Sequence, residues 1–390
     1  MSNRAIGLLV VAVVLAVAAV LLWPSSELSD QPQEQSTTRL GSSNATDTPT
    51  TTAPQASERR DWFPDLSDPQ PSMTTGDAAA GTSGRFNCSI QDLYREVDEE
   101  EEEERNRLLA DTLSRSAYAE DQLAAAIIGS FIGVDRRIDN LTMALAADPT
   151  HPLVLWQVAG DCRRGRGGEY CADPFVRANV ESVLGSNGWY WTQVAAFYYE
   201  EGLFDESLEA LQRAVSAPEF DDYYIDHVLM LERALSADSD RDYGDRVVGA
   251  FGYTAAMPTD FFTRQCTLRG AADVAWLDSC TMLAERYEQD GTNLMMQLIG
   301  LTMQEDLYAS AGLTAEVRDA QLRRTELEAW LDKVDADYEL VQAVDPQLLE
   351  RYLDVWATSG EVAAFEFTVS AVDELLEDPD YDPCVYLPSE

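Results

Sequence analysis

The chain has 390 residues, 45% hydrophobic and 9% aromatic, which excludes a disulfide-stapled peptide and a wholly disordered polymer and calls for a sizeable folded core. Against 27 Lys+Arg stand 70 Asp+Glu, a formal net charge of −43, so long-range repulsion removes nucleic acid as a default partner. Two histidines, His151 and His227, are a scant supply for zinc or a histidine relay, so neither a metal nor a cofactor is expected.

The first predicted element is an uncharged apolar run, Ala5 to Trp23. As a helix it would reach about 28 Å, close to the roughly 30 Å of a bilayer core. It ends in bulky Val20, Leu21, Leu22 and Trp23 followed by Pro24, where a signal peptidase requires small residues, so residues 1–23 read as an uncleaved signal-anchor, with a cleaved secretory signal as the alternative. Arg4 precedes the run and Glu27 and Asp30 follow it. The N-terminus is thus expected in the cytoplasm, residues 5–23 in the inner membrane and the rest in the periplasm. The bacterial setting is itself inferred from this anchor and from the use of Arg for Lys, since Lys333 is the only lysine.

Residues 24–85 shift to Ser, Thr, Pro, Gln, Asp and Gly, a composition that cannot offset the entropy of ordering and predicts a disordered linker with an r.m.s. reach of about 45 Å. Trp62, Phe63 and Leu66 form an apolar island within it, read either as a loose contact with the folded part or as a short docking motif. The linker sets 4 Arg against 9 acids, so most of the negative charge belongs to the folded region. A highly hydrated surface for salty surroundings explains that spread better than one basic partner does.

After Arg85 apolar residues recur at three and four, with breaks at Asp148-Pro149, Gly202, Pro218, Pro258, Gly291, Gly312, Asp345-Pro346, Gly360 and Asp378-Pro379. That pattern predicts a string of helices and an all-α fold. Val317, Ala320, Leu327, Leu331, Val334, Tyr338 and Val341 form one stripe of a long helix after Thr314 as N-cap. Asp345 then caps a helix that opens with Pro346 and buries Leu349, Tyr352, Leu353 and Trp356. Met230, Met257, Met282, Met295, Met296 and Met303 read as core filling.

The six cysteines are an even number in a chain expected to be exported. Sequence proximity favours Cys162 with Cys171 and Cys266 with Cys280, which leaves Cys88 and Cys384 to join the two ends. No Cys-x-x-Cys occurs, which argues against a thioredoxin-type site and a zinc knuckle.

Residues 188–219 read GWYWTQVAAFYYEEGLFDESLEALQRAVSAPE. Trp191, Val194, Ala195 and Tyr198, then Gly202 and Phe204, then Leu211 and Ala214 give this stretch a form that resembles a tetratricopeptide repeat. Ser207 stands where that family usually has Ala, and Pro218 comes one place early. A looser unit spans 153–187, with Trp156 35 residues before Trp191 and an Arg- and Gly-rich loop closed by Cys162 and Cys171 in place of the turn; Phe220–Ala237 and Asp242–Met257 suggest a third. The resemblance implies antiparallel helix pairs stacked as a right-handed array over 86–258, with a C-terminal helical region at 259–390 packed on it. It also implies a ligand groove lined by Trp189, Thr192, Ala196, Tyr199 and Glu200. A neighbouring helix covering Trp189 and Tyr199 is the competing reading.

Other candidates are weaker. Arg163, Arg164 and Arg166 offer an anion site on their glycine-rich loop, or simple pairing with nearby carboxylates. The run of acids from Asp98 to Glu104 reads as a solvated helix start. Asp238, Asp240 and Asp242 imitate a calcium loop but lack the Glu at the twelfth position. Since none of the common hydrolase, metalloprotease or nucleotide motifs is present, the expected function is a membrane-anchored extracytoplasmic scaffold that binds another envelope protein or a peptide. The alternatives are a cell-wall hydrolase with a helical superstructure and a module for anionic solutes.

Overall fold

Short-range capping decides where many of the helices begin. In the computed structural model, which describes residues 86, 88, 99–133, 136–239, 241–255, 257, 261–331 and 336–387, Asp173 accepts from Phe175 N, Asn187 from Trp189 N, Asp273 from Ala275 N, Asn293 from Met296 N, and Asp345 from Gln347 N and Leu348 N. Each satisfies amides that the first turn leaves without a partner. The expected membrane span at 5–23, the linker at 24–85 and its island at Trp62, Phe63 and Leu66 lie outside the described residues.

The described residues are all-helical. In order they form α1 (Glu99–Leu113), α2 (Ala119–Phe131), α3 (Arg137–Ala147), α4 (Pro152–Arg163), α5 (Pro174–Leu184), α6 (Gly188–Glu200), α7 (Phe204–Ser216), α8 (Tyr224–Leu235), α9 (Tyr243–Ala255), α10 (Thr263–Gly270), α11 (Val274–Asp290), α12 (Leu294–Ser310), α13 (Thr314–Leu331), α14 (Ala336–Val344), α15 (Pro346–Ser359) and α16 (Glu361–Glu377). The sole extended pairing among them is an isolated bridge between Asn187 and Glu219.

Neighbouring helices pack as pairs: α2 on α3, α4 on α5, α6 on α7, α8 on α9 and, later, α11 on α12 and α12 on α13. Helices α4, α6 and α8 start at Pro152, Gly188 and Tyr224, 36 residues apart at each step (188 − 152 and 224 − 188). Asn187 locks one such step by donating to Asp221 O at 2.7 Å while its Oδ1 accepts from Asp221 N at 3.1 Å. The α6–α7 turn closes with Leu203 N donating to Tyr198 O at 2.9 Å around Gly202 at φ 75°. An identical turn joins α12 to α13, where Leu313 N donates to Tyr308 O at 2.9 Å and Gly312 sits at φ 74°. Both use glycine where an L side chain would be strained.

The three disulfides pair Cys88 with Cys384, Cys162 with Cys171 and Cys266 with Cys280. Cys162–Cys171 clamps the α4–α5 hairpin, whose loop replaces a tight turn. Cys266–Cys280 ties α10 to α11 inside a core that also holds Trp189, Leu211, Tyr287, Met296 and Met303. A second core runs through α1 to α5, α8, α9, α15 and α16.

Of the expected stripe from Val317 to Val341, Ala320 on α13 and Val341 on α14 are buried, and Val334 between these two helices lies outside the described residues. One expectation is corrected. Met282 is not core filling: it stands 48% exposed on α11.

Close approach of α11 and α12 rests on Gly300, where an added Cβ would lie 2.6 Å from Ala284 O and 2.6 Å from Glu288 N. Since both obstacles are backbone, Gly300→Ala is expected to cost about 1–3 kcal/mol through forced separation of the helices. Urea unfolding of the variant beside the parent checks this; an unchanged midpoint contradicts it.

Candidate functional site

Helix α6 places Trp189, Thr192 and Tyr199 on the face where the repeat resemblance implies a ligand groove. Trp189 and Thr192 are each 0% exposed. The Trp189 ring packs edge-on against Phe220 at 6.0 Å, Phe261 at 5.3 Å and Tyr287 at 5.7 Å. The expectation that Trp189 and Thr192 meet a partner is therefore corrected: the face they occupy is filled by side chains from the α7–α8 connection, the segment before α10, and α11. Ala196 is buried in the same core. Tyr199 is half-buried among Phe204, Phe262 and Trp276, and Arg269 lies 5.7 Å above its ring. Of the groove candidates only Glu200 is exposed.

The basic loop fares differently. Arg163 and Arg164 end α4 and line a cleft with Trp156, Gln157, Gln193, Asp222, Tyr224 and His227. Arg166 is not among the lining residues; its backbone N–H donates to Asp161 O at 2.9 Å, closing the loop. Arg163 also stands 5.9 Å from the Tyr190 ring centre. The sequence marked the two arginines as a site but not Gln157 on the same helix, nor Gln193, Asp222 and His227, which reach the cleft from α6, the α7–α8 connection and α8.

One polar chain crosses beneath this cleft. Arg137 grips Asp161 with two hydrogen bonds of 2.7 and 3.0 Å and donates from Nη2 to Gln157 Oε1 at 2.9 Å. Gln157 in turn lies 3.4 Å from His227 Nε2. Because His227 Nδ1 is 2.7 Å from Tyr223 O, the proton belongs on Nδ1 and Nε2 accepts from Gln157. Burial pushes the imidazole down to about 4, so His227 is neutral near pH 7 and holds α8 to α4.

A second polar node involves carboxylates. Asp222 accepts from Tyr224 N at 3.0 Å, Thr292 Oγ1 at 2.8 Å and Asn293 Nδ2 at 2.6 Å, while burial raises its pKa. Glu361 at the start of α16 accepts from Leu294 N at 2.6 Å. Burial first, and then the Asp222 charge, bring Glu361 up to about 7. Asp221 next door is raised to about 6, again chiefly by burial.

The remaining candidates are committed to structure. Glu102 bonds Arg241, and Glu103 and Glu104 pair with Arg107 on the same helix. Asp238 bonds Arg241 at 3.1 Å and lies 3.7 Å from Arg105. His151 lies 3.3 Å from Glu120. Among the described residues no group of three His, Cys, Asp or Glu is placed to hold a metal. Comparison with protein families, curated proteins and solved structures finds no match to this chain.

His227 and Glu361 give opposite pH dependences. Unfolded histidine binds a proton below about 6.5 and the native imidazole only below about 4, so its contribution is whole above pH 6.5 and is lost as pH falls toward 4. For Glu361 the native pKa of about 7 exceeds the ordinary 4.5, so its contribution is whole below pH 4.5 and lost as pH rises through 7. His227→Gln is expected to remove up to about 3 kcal/mol of acid sensitivity between pH 6.5 and 4. Glu361→Gln, which keeps an acceptor for Leu294 N, is expected to flatten the slope between 4.5 and 7. Chemical unfolding at a series of pH values checks both; slopes unchanged in either variant contradict the assignment.

Proposed function

We propose that this chain is a membrane-anchored extracytoplasmic scaffold, held to the inner membrane by residues 5–23, whose helix pairs bind another envelope protein or a peptide. One observation carries the reading: none of the described cysteines is free, and the three disulfides join residues with Cα atoms 5.4–5.7 Å apart. Disulfides form and persist in oxidising compartments, and the periplasm is one. The stacked helix pairs, with a repeated turn in two of them, support a tetratricopeptide-like array, a construction that offers extended surfaces to other macromolecules.

The reading changes in one respect from the sequence-based expectation. A partner does not enter the inner face of α6, which Trp189 fills, and instead meets an outer surface. The alternative of an anionic-solute module has one observation in its favour, the place of Arg163 and Arg164 on the cleft between α4 and α8.

Maleimide labelling of the full chain in intact cells, before and after reduction, tests the compartment. No cysteine is expected to react until a reductant is added, and protease added to spheroplasts should digest the helical region while sparing the N-terminus. Labelling without reductant, or protection of the helical region, contradicts the proposal. In vivo crosslinking should in addition yield adducts to an envelope protein.

A further inference from the structure

The first half of α11, the end of α12 and the α12–α13 turn line an open groove of about 430 Å³. Leu277 and Leu307 are among its lining, and Met282 and Leu313 extend it, 48% and 43% exposed. Contiguous apolar surface of this kind, on a chain with a net charge of −43, is exposed at a cost that a binding role explains. Methionine at such a position suits a surface that must adapt to an incoming side chain.

The charge at the groove is all of one sign on its α11 wall. Asp278 lines the groove and makes no hydrogen bond or ion pair among the described residues. Glu285, two turns further along α11, accepts from Tyr308 OH at 3.4 Å. The nearest cation in sequence is turned away: Arg286 donates to Ala217 O at 2.7 Å and pairs with Asp290. Asp278, Met282 and Glu285 fall on one stripe of α11, at steps of four and three.

Resting on the scaffold reading, we infer that the α11–α12 groove docks a helical segment of a partner protein that carries large apolar anchors one turn apart and Lys or Arg beside them. A helix laid between two helices presents residues at steps of three and four to such a groove, while cations beside the anchors meet Asp278 and Glu285 and speed association. The same carboxylates, and the overall charge, disfavour an anionic lipid surface and a second copy of this chain.

The test is selection of a random 16-residue peptide display library on the purified full chain, followed by fluorescence anisotropy of the enriched peptides. Peptides with spaced Leu, Ile, Phe or Met and flanking Lys or Arg are expected. Their affinity should fall on the order of tenfold or more on Met282→Glu with Leu313→Asp, and weaken at high salt. Asp278→Lys with Glu285→Lys should lower affinity for the same peptides while helical circular dichroism stays at the parent level. Enriched peptides that bind every variant equally overturn the groove and leave the scaffold reading standing. Acidic-flanked peptides, or no enrichment at all, also overturn the groove; absence of crosslinked partners in cells is what counts against the scaffold itself.

Discussion

A single buried carboxylate holds three distant stretches of this chain together. Asp222, 9% exposed, sits just before α8 and takes hydrogen bonds from Thr292 and Asn293 in the α11–α12 turn. Thr292 O in turn accepts from Trp356 Nε1 and from Glu361 N, each at 3.1 Å, and Glu361 returns its carboxylate to Leu294 N. Helices α8, α12 and α16 thus begin at one polar node, and the positive ends of their dipoles face the two acids. A buried acid with these bonds is tolerable, whereas the same acid without them would be strongly destabilising.

That node explains why the inner face of α6 is closed. Once the α11–α12 turn is anchored beside the start of α8, α11 lies along α7, and Tyr287 reaches both Trp189 and Phe220. The aromatic cluster so formed is packing, and the surfaces left for other molecules are on the outside. The α11–α12 groove is one of these, next to a turn built like the one between α6 and α7.

What could be read from the sequence is what short range decides. Asp345 with Pro346 announced α15 and its buried Leu349, Tyr352, Leu353 and Trp356, all as found. Gly202 and Gly312 announced turns, and cysteines 9 and 14 residues apart announced their own pairing. The fate of Trp189 could not be read in this way, because a large aromatic on one face of a helix has the same spacing whether later helices cover it or leave it open. Met282 misled for the converse reason: its stripe on α11 looks like core, yet it stands 48% exposed on the lining of the groove. Asp222 and Glu361, 139 residues apart in the chain (361 − 222), had no local signal to connect them.

The acidity of the chain is compatible with this architecture because arginines are spent inside it. Arg137 on Asp161 and Arg324 on Glu305 bind helices to one another through two contacts each, a geometry that favours guanidinium over ammonium, and Arg241 ties the α8–α9 connection to Glu102 on α1. The central claim is that α12 and α16 are held at the start of α8 through Asp222. Hydrogen exchange of the full chain carrying Asp222→Ala tests it most directly. Amides at the starts of α8, α12 and α16 are expected to lose protection together, while α2 and α3 keep theirs; loss confined to the residues around position 222 would contradict the claim.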